Sequence, residues 1–386
     1  MKGDGEAGGT PEASGRRILR VPPPLMRLGA RQLGRRVLDP GLPWEVQRRR
    51  LDQLTRGAPV PRGTTVVESV MNGVRADLVA VGGARPGRTV VHFHGGGYCV
   101  GSPRLARSWA ARLSAQAACQ VVLPDYRLAP EHAYPAALDD ARDVMKALSG
   151  EASPGSIVVS GDSAGAGLAL SLVLALREGG QELPAGCILV SPWLDLGRDR
   201  RAIPELVHRD VLLSPRWLEA CALAYADPSS WADPSVSPLL AEPSGLPPLL
   251  IQAGSDDLLA PDAECLAGQA SAAGVDVTYT RWPRMWHDFA LQPGLLAAAD
   301  SALSQAAWFV ESVTGLSGGM ALTASPWRSS GAFRPRARRG GRSGGHEAPG
   351  GGGELGQDMQ PQVFGIQPEF AGEAGDHLPG RIMGWR

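Results

Sequence analysis

From residue 64 onward, short apolar runs alternate with longer stretches whose apolar positions recur at helical spacing. The short runs predict strands at 64–70, 74–80, 88–94, 120–125, 156–161, 187–191, 248–254 and 275–281. The longer stretches predict helices near 103–118, 135–149, 165–179, 262–273 and 295–314. The last five strands are short apolar runs, as expected where a sheet is covered on both faces. Strands alternating with helices mean an α/β fold: eight strands in a mostly parallel sheet, flanked by helices. The first two strands are expected to pair instead as an antiparallel edge hairpin turning at Asn72-Gly73.

Two regions break the alternation. Leu25, Leu28, Leu33, Val37 and Leu38, then Val46, Leu51 and Leu54, fall at roughly helical spacing with Arg between them. They predict two short amphipathic helices ahead of the first strand, placed to act as a lid. The stretch 196–247 is long, Pro-rich and carries Trp217 and Trp231. It reads as an insertion above the sheet that joins the N-terminal helices in a cap. The expected organisation is a disordered N-terminus (1–15), cap helices (16–60) and an α/β domain (61–315) with its cap insertion at about 197–235. A low-complexity, disordered tail (316–386) follows. Residues 328–342 hold six Arg and no acid, the pattern of a nucleic-acid or membrane tail. We read them as a disordered appendage, because the helix at 295–314 already closes the fold.

Composition narrows the class. The chain has 386 residues, 43% of them hydrophobic and 20% charged, enough for a sizeable core. With 38 basic and 39 acidic residues the net charge is −1, so no global attraction to nucleic acid is expected. No apolar run is long enough for a membrane span, and the first residues lack the apolar region of a signal peptide. The five cysteines (Cys99, Cys119, Cys187, Cys221, Cys265) are scattered without CxxC spacing. They argue against a disulfide scaffold or zinc cluster and fit a reducing, cytoplasmic setting.

The chemistry concentrates in four places. Gly161-Asp162-Ser163-Ala164-Gly165 joins the strand SIVVS to the helix AGAGLALSLVLALRE, the context of a nucleophile elbow. The turn would lift the Ser163 hydroxyl to the carboxyl end of the sheet, in front of a helix N-terminus. Serine needs a base. Of seven histidines, His346 and His377 fall in the tail, His94 and His132 in loops, His92 on a strand and His208 in the insertion. Only His287 follows the nucleophile at the end of a late strand. The base needs an acid, and Asp256 and Asp257 compete for that role in the loop after 248–254. Asp257 is favoured because it begins an Asp-x-Leu pattern, while Asp262 reads as a helix N-terminal acid. The order Ser, Asp, His is that of the α/β-hydrolases. Finally, His94-Gly95-Gly96-Gly97 ends a strand, and its glycines let backbone N–H groups converge on a developing oxyanion. The Ala164 N–H would complete that hole. A phosphate loop is disfavoured, since no Lys-Ser/Thr follows.

With these pieces in order, residues 40–315 resemble the hormone-sensitive-lipase-like (bacterial family IV) esterases of the α/β-hydrolase superfamily. The likeness rests on His94–Tyr98, Gly161–Gly165, the run Asp125–His132 (DYRLAPEH), Ser191–Leu196 (SPWLDL), Val236–Leu239 (VSPL) and the Asp257/His287 pair. The resemblance implies Ser163 as nucleophile, Asp257 as acid, and Gly96, Gly97 and Ala164 as oxyanion donors. It also implies hydrolysis of short- to medium-chain acyl esters with no metal or cofactor. A monomer or homodimer is expected, since exposed edge strands in such folds sometimes pair. The resemblance gives Glu131, His132, Asp139 and Asp140 a buttressing role under the oxyanion loop. Two positions depart from the family pattern: Ala166 and Asp288 stand where Gly is common, and the Asp288 carboxylate would raise the His287 pKa slightly. Trp193 and Trp286 are candidates either for the acyl pocket or for the core. The same triad would also serve an amidase or lactonase. A non-catalytic receptor of the same fold is disfavoured by His287, and an elbow Ser disfavours dehalogenase or epoxide hydrolase chemistry.

Overall fold

The structure, a computed structural model, describes residues 21–82, 87–315 and the backbone of 362–366. Nine strands form one sheet: β1 (Thr64–Met71), β2 (Val74–Val81), β3 (Thr89–Phe93), β4 (Gln120–Pro124), β5 (Ile157–Asp162), β6 (Gly186–Val190), β7 (Leu249–Gly254), β8 (Val277–Trp282) and β9 (Gln362–Ile366). Their order is β1-β2-β4-β3-β5-β6-β7-β8-β9. From β4 to β8 every neighbouring pair is parallel. At one edge β1 and β2 form the antiparallel hairpin, and Asn72 and Gly73 both take positive φ (47° and 91°). Those angles match the right-handed twist of the paired strands, and Asn-Gly tolerates them.

Side chains alternate across each strand and build two cores. Val91, Val122, Val159, Leu189 and Ile251 point to one face. There they meet α4 (Ala136–Ser149), α5 (Ala164–Glu178) and α8 (Ala260–Ala272). Val90, Val121, Val158, Ile188 and Leu250 point to the other face, against α3 (Arg107–Ala117) and α9 (Ala297–Val313). Each buried Val or Leu contributes about 1.5–3 kcal/mol. α5 is buried on nearly all sides, which is why its sequence lacks a polar face.

Two details differ from expectation. The eight expected strands form, and five residues within 316–386, β9, add a ninth antiparallel to β8; the rest of that tail lies outside the described residues. The β9 sequence QVFGI is apolar enough to pair but too short to stand out among glycines. The helix expected from 103 begins at Arg107, because Pro103–Leu105 form a separate 3-10 turn. The Arg-rich stretch 328–342 lies outside the described residues.

The carboxyl ends of the parallel strands open on one side of the sheet, where α/β folds place their sites. Over that side lie α1 (Pro23–Val37), α2 (Trp44–Thr55), α6 (Pro204–Arg209) and α7 (Pro215–Tyr225). Polar bonds tie these elements together. Trp217 Nε1 donates to Gln47 Oε1 at 2.9 Å, with both groups buried. Arg27 reaches Asp256 at 2.9 Å and also the Arg209 carbonyl.

Candidate active site

The turn after β5 is tight enough to require its glycines. A Cβ on Gly161 would stand 2.2 Å from the Gly165 carbonyl oxygen, and one on Gly165 would stand 2.0 Å from that of Phe93. Ser163 itself sits at φ 54°, ψ −121°. That backbone is strained for any side chain, and it is held by the Ser163 N–H donating to the Val190 carbonyl at 2.9 Å.

Three loops bring the serine, histidine and aspartate together. His287 Nε2 lies 3.0 Å from Ser163 Oγ, and Nδ1 lies 3.1 Å from Asp257 Oδ1. All three side chains are buried. Asp257 Oδ1 also accepts the Leu259 N–H at 2.8 Å. Burial pushes the Asp257 carboxyl up, but the His287 charge and hydrogen bond outweigh it and hold the pKa below the usual carboxylate range. Asp256 is elsewhere, paired with Arg27. Asp262 stands in the first turn of α8, where it forms a buried pair with Arg200 at 2.7 Å and accepts the Leu194 and Asp195 N–H groups.

The glycine loop after β3 supplies N–H groups beside Ser163. The Gly95 N–H donates to Asp162 Oδ2 at 2.9 Å. Asp162 Oδ1 holds His92 Nε2 at 3.0 Å, so this residue anchors the loop to the elbow. The Gly96 and Gly97 N–H groups have no acceptor among the described residues. Neither glycine can be enlarged. Gly96 has φ 120° and its Cβ would stand 2.1 Å from the Val100 carbonyl oxygen; Gly97 has φ 62° and its Cβ would stand 2.5 Å from Cys221 Sγ. The Ala164 N–H opens α5 and, as a first-turn amide, has no partner within the helix. His94 stacks on Tyr126, whose hydroxyl donates to the His94 carbonyl at 2.7 Å. Burial lowers the His94 pKa, so its ring is neutral, with Nδ1 bonded to the Gly95 carbonyl at 2.8 Å.

Glu131 does not reach the serine. It grips Arg48 of α2 through both carboxylate oxygens (2.8 and 2.7 Å), and the hydrogen bonds from Arg48 pull its pKa down to about 2 against the effect of burial. Arg48 in turn donates to the carbonyls of Cys99 and Ala129, both at 2.7 Å. Asp140 fixes Arg127 in the same loop. Asp139 pairs with Arg142, and His132 is exposed. Trp193 and Trp286 are buried core residues. The aromatic side chain lining the cavity is Trp217.

That cavity has a volume of about 280 Å³. Its walls are Val37, Leu38, Leu51, Leu54, Leu212 and Leu213, and Ser163 and His287 lie among its lining residues.

Sequence reasoning left two carboxylates without their full part. Asp288 takes φ 54°, and its Oδ2 lies 3.1 Å from the same His287 nitrogen that faces Ser163. Burial alone would lower the His287 pKa, but the carboxylates of Asp288 and Asp257 raise it well above its usual value. Asp210, in the insertion, is fully enclosed and was not anticipated. Its oxygens accept the N–H groups of Leu212 (2.8 Å), Leu213 (3.0 Å) and Leu258 (2.8 Å). Burial, followed by the Asp257 charge, pushes its pKa up to about 6. Its one sequence signal is a lone acid before the apolar run VLL.

A family model for the α/β-hydrolase fold matches residues 90–291. The chain belongs to that family. It is similar to a putative acetyl-hydrolase, LipR, of Mycobacterium tuberculosis, with 36% identity over 75% of this chain and 90% of the relative. It is also 36% identical to an esterase of Acinetobacter venetianus, over 68% of this chain and 87% of that protein. Among solved structures, an esterase from the bacterial hormone-sensitive lipase family superposes with a TM-score of 0.71 at 30% identity, covering 75% of this chain and 98% of the other. A hormone-sensitive lipase from a metagenome library gives 0.71 at 31%, over 77% and 99%. Within the α/β hydrolases, this chain therefore stands with the hormone-sensitive-lipase-like esterases.

Proposed function

We propose that this α/β hydrolase is a carboxylesterase acting on short- to medium-chain acyl esters through Ser163, His287 and Asp257. The observation that carries the reading is the continuous line from Ser163 Oγ to His287 Nε2 (3.0 Å) and from Nδ1 to Asp257 Oδ1 (3.1 Å), set beside an apolar cavity. Ser163 Oγ attacks the ester carbonyl as His287 Nε2 takes its proton. The carbonyl electrons move onto oxygen, which the N–H groups of Gly96, Gly97 and Ala164 receive. His287 returns the proton to the leaving alcohol, leaving an acyl group on Ser163. A water molecule then gives its proton to His287 and attacks the acyl carbon, and the returning proton restores Ser163. Asp257 holds the imidazole with its proton on Nδ1. A cavity of about 280 Å³ lies at the small end for ligand sites, which favours modest acyl groups. Of the expected cap segments 16–60 and about 197–235, the described helices from residue 21 to 60 and the insertion act as its cap.

The test is hydrolysis of p-nitrophenyl esters from acetate to palmitate by the wild type and Ser163→Ala. The expected result is a maximum at short to medium chains and a loss in the variant of about 10⁴-fold or more. Folded wild type without activity on any ester, or a variant that keeps its activity, overturns the proposal.

A further inference from the structure

The cavity beside Ser163 is lined mostly by apolar residues, with Asp288 and Gln292 among its few polar ones. Two of their acceptor atoms are enclosed without a partner among the described residues: Asp288 Oδ1 and Gln292 Oε1. A buried acceptor left without a donor costs about 1–3 kcal/mol, and more when it is charged. The other carboxylate on the lining is Asp162, and it is already committed to His92 and the Gly95 N–H. Neither Lys nor Arg lines the cavity, and the ion-pair partner of Asp288 among the described residues is His287. Asp288 therefore brings negative charge to this part of the lining, with 20% of its side chain exposed.

Its position decides which part of a substrate meets it. Asp288 Oδ2 touches His287 Nε2. In the esterase reading, on which this inference rests, that nitrogen protonates the leaving alcohol. A group bonded to Asp288 is therefore carried by the alcohol, a short distance from the ester oxygen. We infer that Asp288 and Gln292 are specificity residues for esters whose alcohol carries a cationic, hydrogen-bond-donating amine. Burial, the opposing His287 charge and the neighbouring Asp162 and Asp257 charges together put the Asp288 carboxyl at about 7. A bound ammonium stabilises its ionised form and competes with His287 for it. Such a substrate would loosen the hold of Asp288 on the proton of Nε2.

The experiment compares 2-(dimethylamino)ethyl acetate with its neutral isostere, 3-methylbutyl acetate, at neutral pH. The wild type should favour the amine ester in kcat/KM by about tenfold to a hundredfold, the range of a charge-assisted hydrogen bond. Asp288→Asn should bring the ratio close to one. Asn is at ease at positive φ, so the backbone is kept, and a melting curve checks the fold. Gln292→Met should narrow the ratio severalfold. Equal turnover of both esters by wild type, lost in Ser163→Ala, overturns the inference while the esterase reading stands. A preference that survives Asp288→Asn overturns it as well. If neither ester is turned over, the esterase reading is what fails. Calorimetric titration of Ser163→Ala with the two esters then still decides the inference: tighter binding of the amine ester, lost when Asp288→Asn is added, supports it, and equal binding refutes it.

Discussion

Asp256 and Asp257 are adjacent in sequence, and exchanging each for Asn separates two very different environments. Asp257 is fully buried, with Oδ1 3.1 Å from His287 Nδ1 and 2.8 Å from the Leu259 N–H. In Asp257→Asn one atom at the Oδ1 position must meet both Nδ1 and the Leu259 N–H: an amide NH₂ there drives the imidazole proton to Nε2, which can then no longer accept from Ser163, and an amide oxygen there keeps both bonds but lacks the charge that stabilises the imidazolium. The wrong tautomer in a comparable triad costs about 10⁴ in turnover, or about 5 kcal/mol of transition-state stabilisation. Asp256 instead pairs with Arg27 at 2.9 Å, with 12% and 29% of the two side chains exposed. A pair open to water contributes about 0–1 kcal/mol, so Asp256→Asn should change kcat/KM by less than about fivefold. The assay is p-nitrophenyl butyrate hydrolysis, with melting curves to show that both variants are folded. A loss beyond a hundredfold in Asp256→Asn, with Asp257→Asn within tenfold of wild type, would refute the assignment and exchange the two roles.

Other outcomes follow from the buried carboxylates and the loop anchors. Asp210 rises to about 6 from the usual 3.8, so the folded state keeps a proton that the unfolded chain has lost. The stability tied to that proton is complete below pH 3.8 and drains by about 3 kcal/mol as pH rises through 6. Urea midpoints between pH 4 and 7 should therefore fall less steeply in Asp210→Asn than in wild type; equal slopes would refute this. Asp288→Asn removes one of two carboxylates that hold the His287 proton, so the acid limb of kcat/KM should move to lower pH. An unmoved limb would show that Asp288 does not tune the base. Arg48→Lys leaves a point charge where a forked guanidinium bridged Glu131 and two carbonyls. About a tenfold fall in kcat is expected, with KM little changed; a rise in KM alone would place Arg48 in binding instead.

The sheet was readable because strands buried on both faces leave short apolar runs, and 156–161 and 248–254 have no other reading. The elbow was readable because its glycines are sterically compulsory. Asp288 was visible as a departure from family pattern, but its contact with Nε2 depends on a left-handed backbone that no local pattern announces. Asp210 was hidden for a different reason. Two of its partners are the local N–H groups of Leu212 and Leu213, but the third is brought from residue 258, across a fold that sequence spacing does not measure. Glu131 was read as a support, but the agent of that support is Arg48, 83 residues earlier. On an amphipathic helix such an Arg looks like any other solvated side chain. β9 escaped because five residues amid a Gly-rich stretch carry too little periodicity to count.

The Arg48 tether has a mechanical consequence. α2 roofs the cavity with Leu51 and Leu54, yet from one turn away it is bolted to the carbonyls of Cys99 and Ala129. A roof fixed in this way cannot swing clear as a rigid flap without dragging the glycine loop out of register. Traffic through the cavity must then rely on leucine rotamers, and each turnover can begin with the glycine-loop N–H groups already in place.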